Sequence, residues 1–566
     1  MNRWWSRVSL FGSGLAVLSV LAAVSMGVLW NTAHLFPSPD ETANYFFTNR
    51  FADTWTLRAF DALGADFDGA LHPRSVVSQA GILLPGSFLG LPVLFGTMAR
   101  VFGERILPLL TPILFLLSVP VWYAICRRFF SPTVARWSAV LYPMLPPLWY
   151  YGARSFMHNV PFLCFLIFAS GLFLLRPFSS RLRAGFWKQH LDPLVGGAFL
   201  AVALWLRLSE IVWIIPSIAI LWWPVRTQLK RSWIVVALVS FILMMLPLFL
   251  WQQRTYGAWF RTGYTMEAQE TQEVQGAQGE FERKIGGVPA PRPDAQKTST
   301  ISPRADTLFP FGLHPRSALM AFDLYVARLF PWLIVLVMIG LPLFVGKMRQ
   351  EKEKGLVRRT YLQLLLFVSA YLVLMYGSWK IQDNPDPRAV TIGNSYVRYW
   401  LPMYVLALPL AGEAIVWIIQ KVGKTIFARR VAAATFFLLI VSFSLNSVFL
   451  ADTDSLLTMR RTLLRSAEIK QQALALIETD AVVIVDRADK LFFPDRHIRV
   501  PLRDENTYAL IPRLLLRVPV YYYGVTLPPQ DVQYLNTIKL KERRVQIHLV
   551  KTFDAESLYV FEKEAE

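Results

Sequence analysis

Apolar residues along this chain gather in blocks of about 20, the length a helix needs to cross roughly 30 Å of hydrocarbon. The blocks predict spans at 9 to 30, 104 to 126, 132 to 150, 159 to 176, 192 to 208, 210 to 225, 232 to 250, 321 to 345, 360 to 378, 397 to 419 and 431 to 450. A further apolar stretch, 81 to 102, carries Pro85 and Pro92 with Gly81, Gly86, Gly90 and Gly96. Those residues weaken a helix, and the stretch reads as interfacial or re-entrant. After 451 the pattern changes. A helical stretch at 455 to 478 is followed by Ala481-Val-Val-Ile-Val485, Val545-Gln-Ile-His-Leu-Val550 and Ser557-Leu-Tyr-Val-Phe561, which read as strands. The expected fold class is an all-α polytopic membrane protein of about eleven transmembrane helices over 1 to 450. A small extracytoplasmic α/β domain follows over 451 to 566.

Charge placement adds orientation. Of 566 residues 54% are hydrophobic and 17% charged, and the net charge is +19. That basic excess sits in short stretches between apolar blocks, where it specifies topology, so no nucleic-acid role is assigned. Arg3 and Arg7 precede a first span too long for a signal-peptide core, which predicts an uncleaved anchor with its start in the cytoplasm. Arg127-Arg128, Arg176 to Lys188, Arg226 to Arg231, Lys347 to Arg359 and Lys421 to Arg430 then all fall on the cytoplasmic side of a multi-pass cell membrane protein. The loops 31 to 103, 151 to 158 and 251 to 320 and the tail face outward. Within the third loop, 265 to 306 is rich in Glu, Gln and Pro with little to bury, and a mobile flap or disordered segment is expected. Cys126 and Cys164 lie in apolar segments, which excludes a disulfide framework and a cysteine metal site.

Polar chemistry concentrates on the outer face. Just past the first span stands Pro39-Asp40-Glu41, and adjacent carboxylates at a membrane rim point to proton chemistry or cation binding on a substrate held at the bilayer surface. Asp40 reads also as the cap of a helix starting at Thr42, and the two roles can hold at once.

The order of these features resembles the C-type (GT-C) glycosyltransferases. The residues concerned are the anchor, the Asp-Glu pair, the Pro/Gly-rich stretch ending in Phe-Gly at 102 to 103, and the span ending Ile125-Cys-Arg-Arg-Phe-Phe130. More closely it is similar to bacterial family 39 members, relatives of the protein O-mannosyltransferases and lipid A aminoarabinose transferases. Tyr150-Tyr-Gly-Ala-Arg-Ser-Phe156, Leu206-Arg-Leu-Ser-Glu210, Tyr256-Gly-Ala-Trp-Phe-Arg-Thr-Gly-Tyr264 and Tyr396-Val-Arg-Tyr-Trp-Leu-Pro402 support it. The resemblance covers roughly 1 to 450. It implies a transferase taking a sugar from a polyprenyl-phosphate donor, on the extracytoplasmic leaflet, to a glycan, lipid or protein acceptor. It places Asp40 as general base, with Glu41 orienting the acceptor or binding a cation.

The second outer loop departs from the family, reading Arg154-Ser-Phe-Met-His158-Asn159 where an acidic residue is common. A divalent cation (Mg²⁺ or Mn²⁺) is therefore an open question, since His and Asn suit such hard ions poorly. His158 and Asn159 stand as acceptor-binding candidates beside a purely structural reading. For the carrier phosphate, Arg74, Arg154, Arg261, Lys380 and Arg398 qualify by location, and Arg398 with Tyr399 matches the family pattern. Each Arg reads equally as a snorkelling anchor. His72 and Tyr264 are further substrate-binding candidates, whereas Arg207 with Glu210 reads as a structural ion pair. Asp61, Asp66 and Asp68 read as a solvated loop. A transporter or flippase of lipid-linked sugars is the alternative function, and a recognition tail on a membrane scaffold is a third.

Overall fold

The computed structural model describes residues 34–175, 186–226, 230–266, 309–350, 352–381, 383 and 389–564. The expected first span, and all but two residues of the stretch 265 to 306, lie outside the described residues. The chain divides into two compact units. One, here the helical unit, comprises Met1–Leu29, Pro108–Leu248 and Gly286–Thr458; the other, the mixed unit, comprises Trp30–Leu107, Phe249–Ile285 and Met459–Glu566.

Six described helices are long and apolar enough to cross a bilayer: Glu104–Phe129, Arg231–Tyr256, Pro331–Gln350, Gly355–Gly377, Leu401–Val422 and Ile426–Leu450. The expected count of about eleven is not reached among the described residues. Residues 132 to 150 form two helices, Pro132–Met144 and Pro146–Gly152. Between them Leu145 is extended (φ −67°, ψ 118°), because a residue ahead of proline avoids the helical region. The helix Asn159–Leu174 is apolar but short. The expected spans 192 to 208 and 210 to 225 are a pair, His190–Leu206 and Leu208–Trp222, bent by 118° at Arg207. Leu401–Val422 is the most enclosed of the six, with 78% of its apolar window buried. Its Glu413 is 2% exposed and takes the Lys347 ammonium at 2.5 Å, matching a buried charge.

The mixed unit contains two sheets. Strands β1 (Ala59–Phe60), β2 (Val76–Gln79) and β3 (Ile82–Pro85) form an antiparallel sheet in the order β1-β3-β2. The stretch expected to be interfacial is therefore β3 followed by a regular helix, Gly90–Phe102. Its Pro92 sits in the first turn, where the missing N–H does not matter. At Gly96 a Cβ would lie 2.8 Å from the Thr48 carbonyl, so glycine permits close packing on the helix Pro39–Thr54.

In the tail, β4 (Val482–Val485), β5 (His497–Arg499), β6 (Val520–Val525), β7 (Val545–Phe553) and β8 (Glu556–Lys563) pair in the order β5-β4-β6-β8-β7. β4 is parallel to β5 and β6, and every residue of β4 is buried, as an inner parallel strand requires. Phe67 and Leu71, from the first loop, lie in the same core as Val482, Ile484, Ile511 and Tyr559. Asp61 is not solvated loop: it caps Ala62–Asp66 through the Gly64 N–H (3.1 Å) and faces His497 Nδ1 at 3.2 Å.

Candidate active site

In the mixed unit the helix Pro39–Thr54 starts at Ser38, whose Oγ accepts the Asp40 N–H at 3.1 Å. Pro39 opens the helix and Asp40 and Glu41 fill its first turn, where the dipole favours anions. The capping role expected of Asp40 thus belongs to Ser38. The Asp40 carboxylate instead receives the Ser75 hydroxyl at 2.6 Å. Glu41 is buried, 2% exposed, and its neighbour Asn44 accepts from Ser87 Oγ at 3.2 Å.

Ser75 has φ +61°, the left-handed region uncommon for a residue with a Cβ. Its carbonyl accepts from Gly86 N–H at 3.0 Å, and a Cβ on Gly86 would sit 2.7 Å from the Ser75 carbonyl carbon. Tyr256 OH donates to the Pro85 carbonyl at 2.7 Å, so the stretch 256 to 264 buttresses this turn. Arg74 faces Asp489, whose carboxylate accepts from the Arg74 Nε, Nη2 and backbone N–H. His72 Nδ1 lies 3.1 Å from the Pro73 carbonyl, and Tyr264, 40% exposed, packs edge-on against Phe88. Arg261 lines an open groove of about 530 Å³ with Gln253, Gly257, Trp259, Phe260 and Thr265.

In the helical unit a cation and aromatic cluster surrounds the break at Arg207. Its Nε donates to Glu210 Oε1 at 2.8 Å and its Nη2 to the Tyr376 hydroxyl at 2.8 Å. Tyr376 OH and Trp213 Nε1 also donate to Glu210. The carboxylate is therefore fully engaged by donors, a structural ion pair as expected. Tyr399 stacks on Tyr376 at 4.6 Å, and the Arg207 guanidinium lies 4.9 Å from the Tyr399 ring centre. Arg398, half-buried, meets Met157 Sδ at 2.9 Å and the Tyr399 ring at 5.2 Å, while Asn159 Nδ2 donates to the Arg398 carbonyl at 3.3 Å. Arg154 is buried against the rings of Tyr150 (5.4 Å) and Tyr151 (5.5 Å), and His158 is buried as well. Lys380 is exposed.

Arg398, Tyr399 and Asn159 are thus brought together, and Arg154 and His158 lie on the segment that carries Met157. Asp40, Glu41, His72, Arg74 and Tyr264 belong to the other unit. Sequence reasoning missed Tyr376 and Asp489, whereas Ser75 entered it within His72-Pro73-Arg74-Ser75, a stretch that reads as site lining or as a turn. Tyr376 sits in an apolar run where a tyrosine gives no signal, and Asp489 sits in a charged stretch that reads as a surface turn. Among the described residues no cluster of three His, Cys, Asp or Glu side chains is placed to hold a metal ion. The stretch 154 to 159 supplies Arg, His and Asn, which suit Mg²⁺ or Mn²⁺ poorly, and no step is routed through such an ion.

No family model and no curated protein matches the chain. Among solved structures, ArnT from Cupriavidus metallidurans bound to undecaprenyl phosphate is similar over 98% of both chains, with a TM-score of 0.52 and 13% identity. The oligosaccharyltransferase AglB from Archaeoglobus fulgidus, in complex with an inhibitory peptide and a dolichol-phosphate, has a TM-score of 0.50 and 12% identity. That likeness covers 97% of this chain and 74% of AglB. With helices long and apolar enough to cross a bilayer and this likeness over nearly its whole length, the chain shares its fold with ArnT and AglB.

Proposed function

We propose that the chain is a membrane glycosyltransferase that moves a sugar from a polyprenyl-phosphate donor to an acceptor hydroxyl on the extracytoplasmic side. The carrying observation is Asp40: a carboxylate in the first turn of a helix, held by a neighbouring hydroxyl at 2.6 Å instead of being used as the cap. The Asp40 carboxylate takes the acceptor proton as the acceptor oxygen bonds to the anomeric carbon. The bond from that carbon to the phosphate oxygen breaks, its electron pair leaves with polyprenyl phosphate, and the anomeric configuration inverts. Glu41 orients the acceptor. Arg398 is our choice for the developing phosphate charge, because it is half-buried on the short helix Ser395–Tyr399 and a guanidinium suits a phosphate. The undecaprenyl phosphate and dolichol-phosphate held by the structural neighbours support a lipid-phosphate donor. In a correctly inserted protein, Asp40→Asn should lower transfer by roughly 10²- to 10⁴-fold. Full transfer by that variant would refute the base assignment.

The 118° break at Arg207 favours keeping a second reading, since broken helices also build the sites of transporters. A transporter of lipid-linked sugars gives no product in detergent, where no compartments exist.

A further inference from the structure

Two consecutive residues of the tail grip the two segments that carry Asp40 and its partner. Asp489 opens the short helix Asp489–Phe492 after β4 and is fully buried. Its carboxylate accepts the Arg74 N–H at 3.0 Å, Arg74 Nε at 3.1 and 3.2 Å, and Arg74 Nη2 at 2.5 Å. The same Nη2 donates to the Arg487 carbonyl at 2.8 Å. A buried carboxylate held by both prongs of a guanidinium and by a backbone N–H has little freedom to move. Arg74 is thereby fixed in backbone and side chain, and the next residue is Ser75. Lys490 Nζ donates to the Pro37 carbonyl at 2.5 Å, one residue ahead of the Ser38 cap.

We propose that Asp489 is a positioning residue for the transfer reaction: through Arg74 it holds Ser75 in its left-handed conformation, so that the Ser75 hydroxyl aims the Asp40 carboxylate. This rests on Asp40 being the base. The tail then has a direct part in chemistry at the first loop, 415 residues away in sequence. A surface ion pair would not need this arrangement, because either partner would be hydrated and replaceable. Here the carboxylate is buried, and a misplacement of about 1 Å at a reacting group costs on the order of 10²-fold.

The test uses the full chain in detergent with a panel of undecaprenyl-phosphate-linked hexoses and pentoses and a detergent extract of bacterial envelope as the source of acceptor, following pH profiles of transfer for Asp489→Asn, Ser75→Ala and the double variant. Each single variant should lose roughly 10- to 100-fold in kcat with donor KM little changed. In both, the acid limb of the profile should move to higher pH, since the hydroxyl no longer favours the charged form of the base. The double variant should lose no more than the worse single one, as for residues acting in series. If Asp489→Asn does not fold, Arg74→Lys, which keeps the charge and loses the two-pronged grip, is read in its place. A folded Asp489→Asn or Arg74→Lys protein with the wild-type profile, or losses that multiply with those of Ser75→Ala, overturns the proposal. Inactive Asp40→Asn alongside such results leaves the base assignment standing, whereas active Asp40→Asn removes the base assignment itself.

Discussion

At the scale of single residues, the side chains set apart by chemistry were the more legible. Arg398 was singled out by its match, with Tyr399, to a family pattern opening a late span, and it lies half-buried against a thioether and the ring of Tyr399. Arg398→Ala should raise the donor KM by roughly 10- to 100-fold, the weight of a charged hydrogen bond. Arg398→Lys should recover only part of that, because an ammonium lacks the fork. Steady-state kinetics with carrier-linked sugar reads both. Arg74 looked equivalent in sequence, yet its partner is hundreds of residues away and spacing alone cannot reveal such a match. Asp61 shows the same blindness. Burial pushes its carboxyl up, but the His497 and Gly64 hydrogen bonds and the His497 charge outweigh that and hold it below the usual value. A depressed carboxyl stabilises the fold above the unfolded pKa, near 4, and that stability is lost as pH falls through the lower folded value. Hydrogen-exchange protection factors of residues 59 to 72, taken relative to the intrinsic rate at each pH, should therefore fall on acidification, and in Asp61→Asn they should be lower at neutral pH with less acid dependence.

At the scale of elements, hydropathy located the long apolar helices and only some of their interruptions. Block length gives no warning of the break at Leu145, which follows from the proline after it, whereas the boundary between the expected spans 192 to 208 and 210 to 225 falls beside the bend at Arg207. The strands of the tail with continuous apolar runs were readable, whereas β6, which is rich in tyrosine, and the small sheet around β3 were not. Glu413 is an acid inside the apolar helix Leu401–Val422, and its partner Lys347 comes from another helix. Removing only Lys347 leaves a buried anion, so Lys347→Ala should destabilise the protein by up to about 3 kcal/mol, limited because Lys347 is 45% exposed. Replacing both, Lys347→Met with Glu413→Leu, should recover most of that loss. Thermal unfolding in detergent measures the difference.

At the scale of the whole molecule, the mixed unit is assembled from three stretches of chain, and linear reading cannot see such an assembly. Phe67 and Leu71 belong to the core of the tail sheet. Ending the chain after 458 should therefore leave the first loop open to protease at 59 to 85, while Phe67→Ala in the full chain should produce a milder form of the same effect.

The most direct measurement follows undecaprenyl phosphate release from a radiolabelled carrier-linked sugar by the purified chain in detergent, with a detergent extract of bacterial envelope as the source of acceptor, with and without the Asp40→Asn change. The wild-type chain should release the lipid phosphate together with glycosylated acceptor, and the variant should release almost none. Sugar that stays on its carrier with the wild-type chain, or equal release by both chains, would contradict a transferase acting through Asp40.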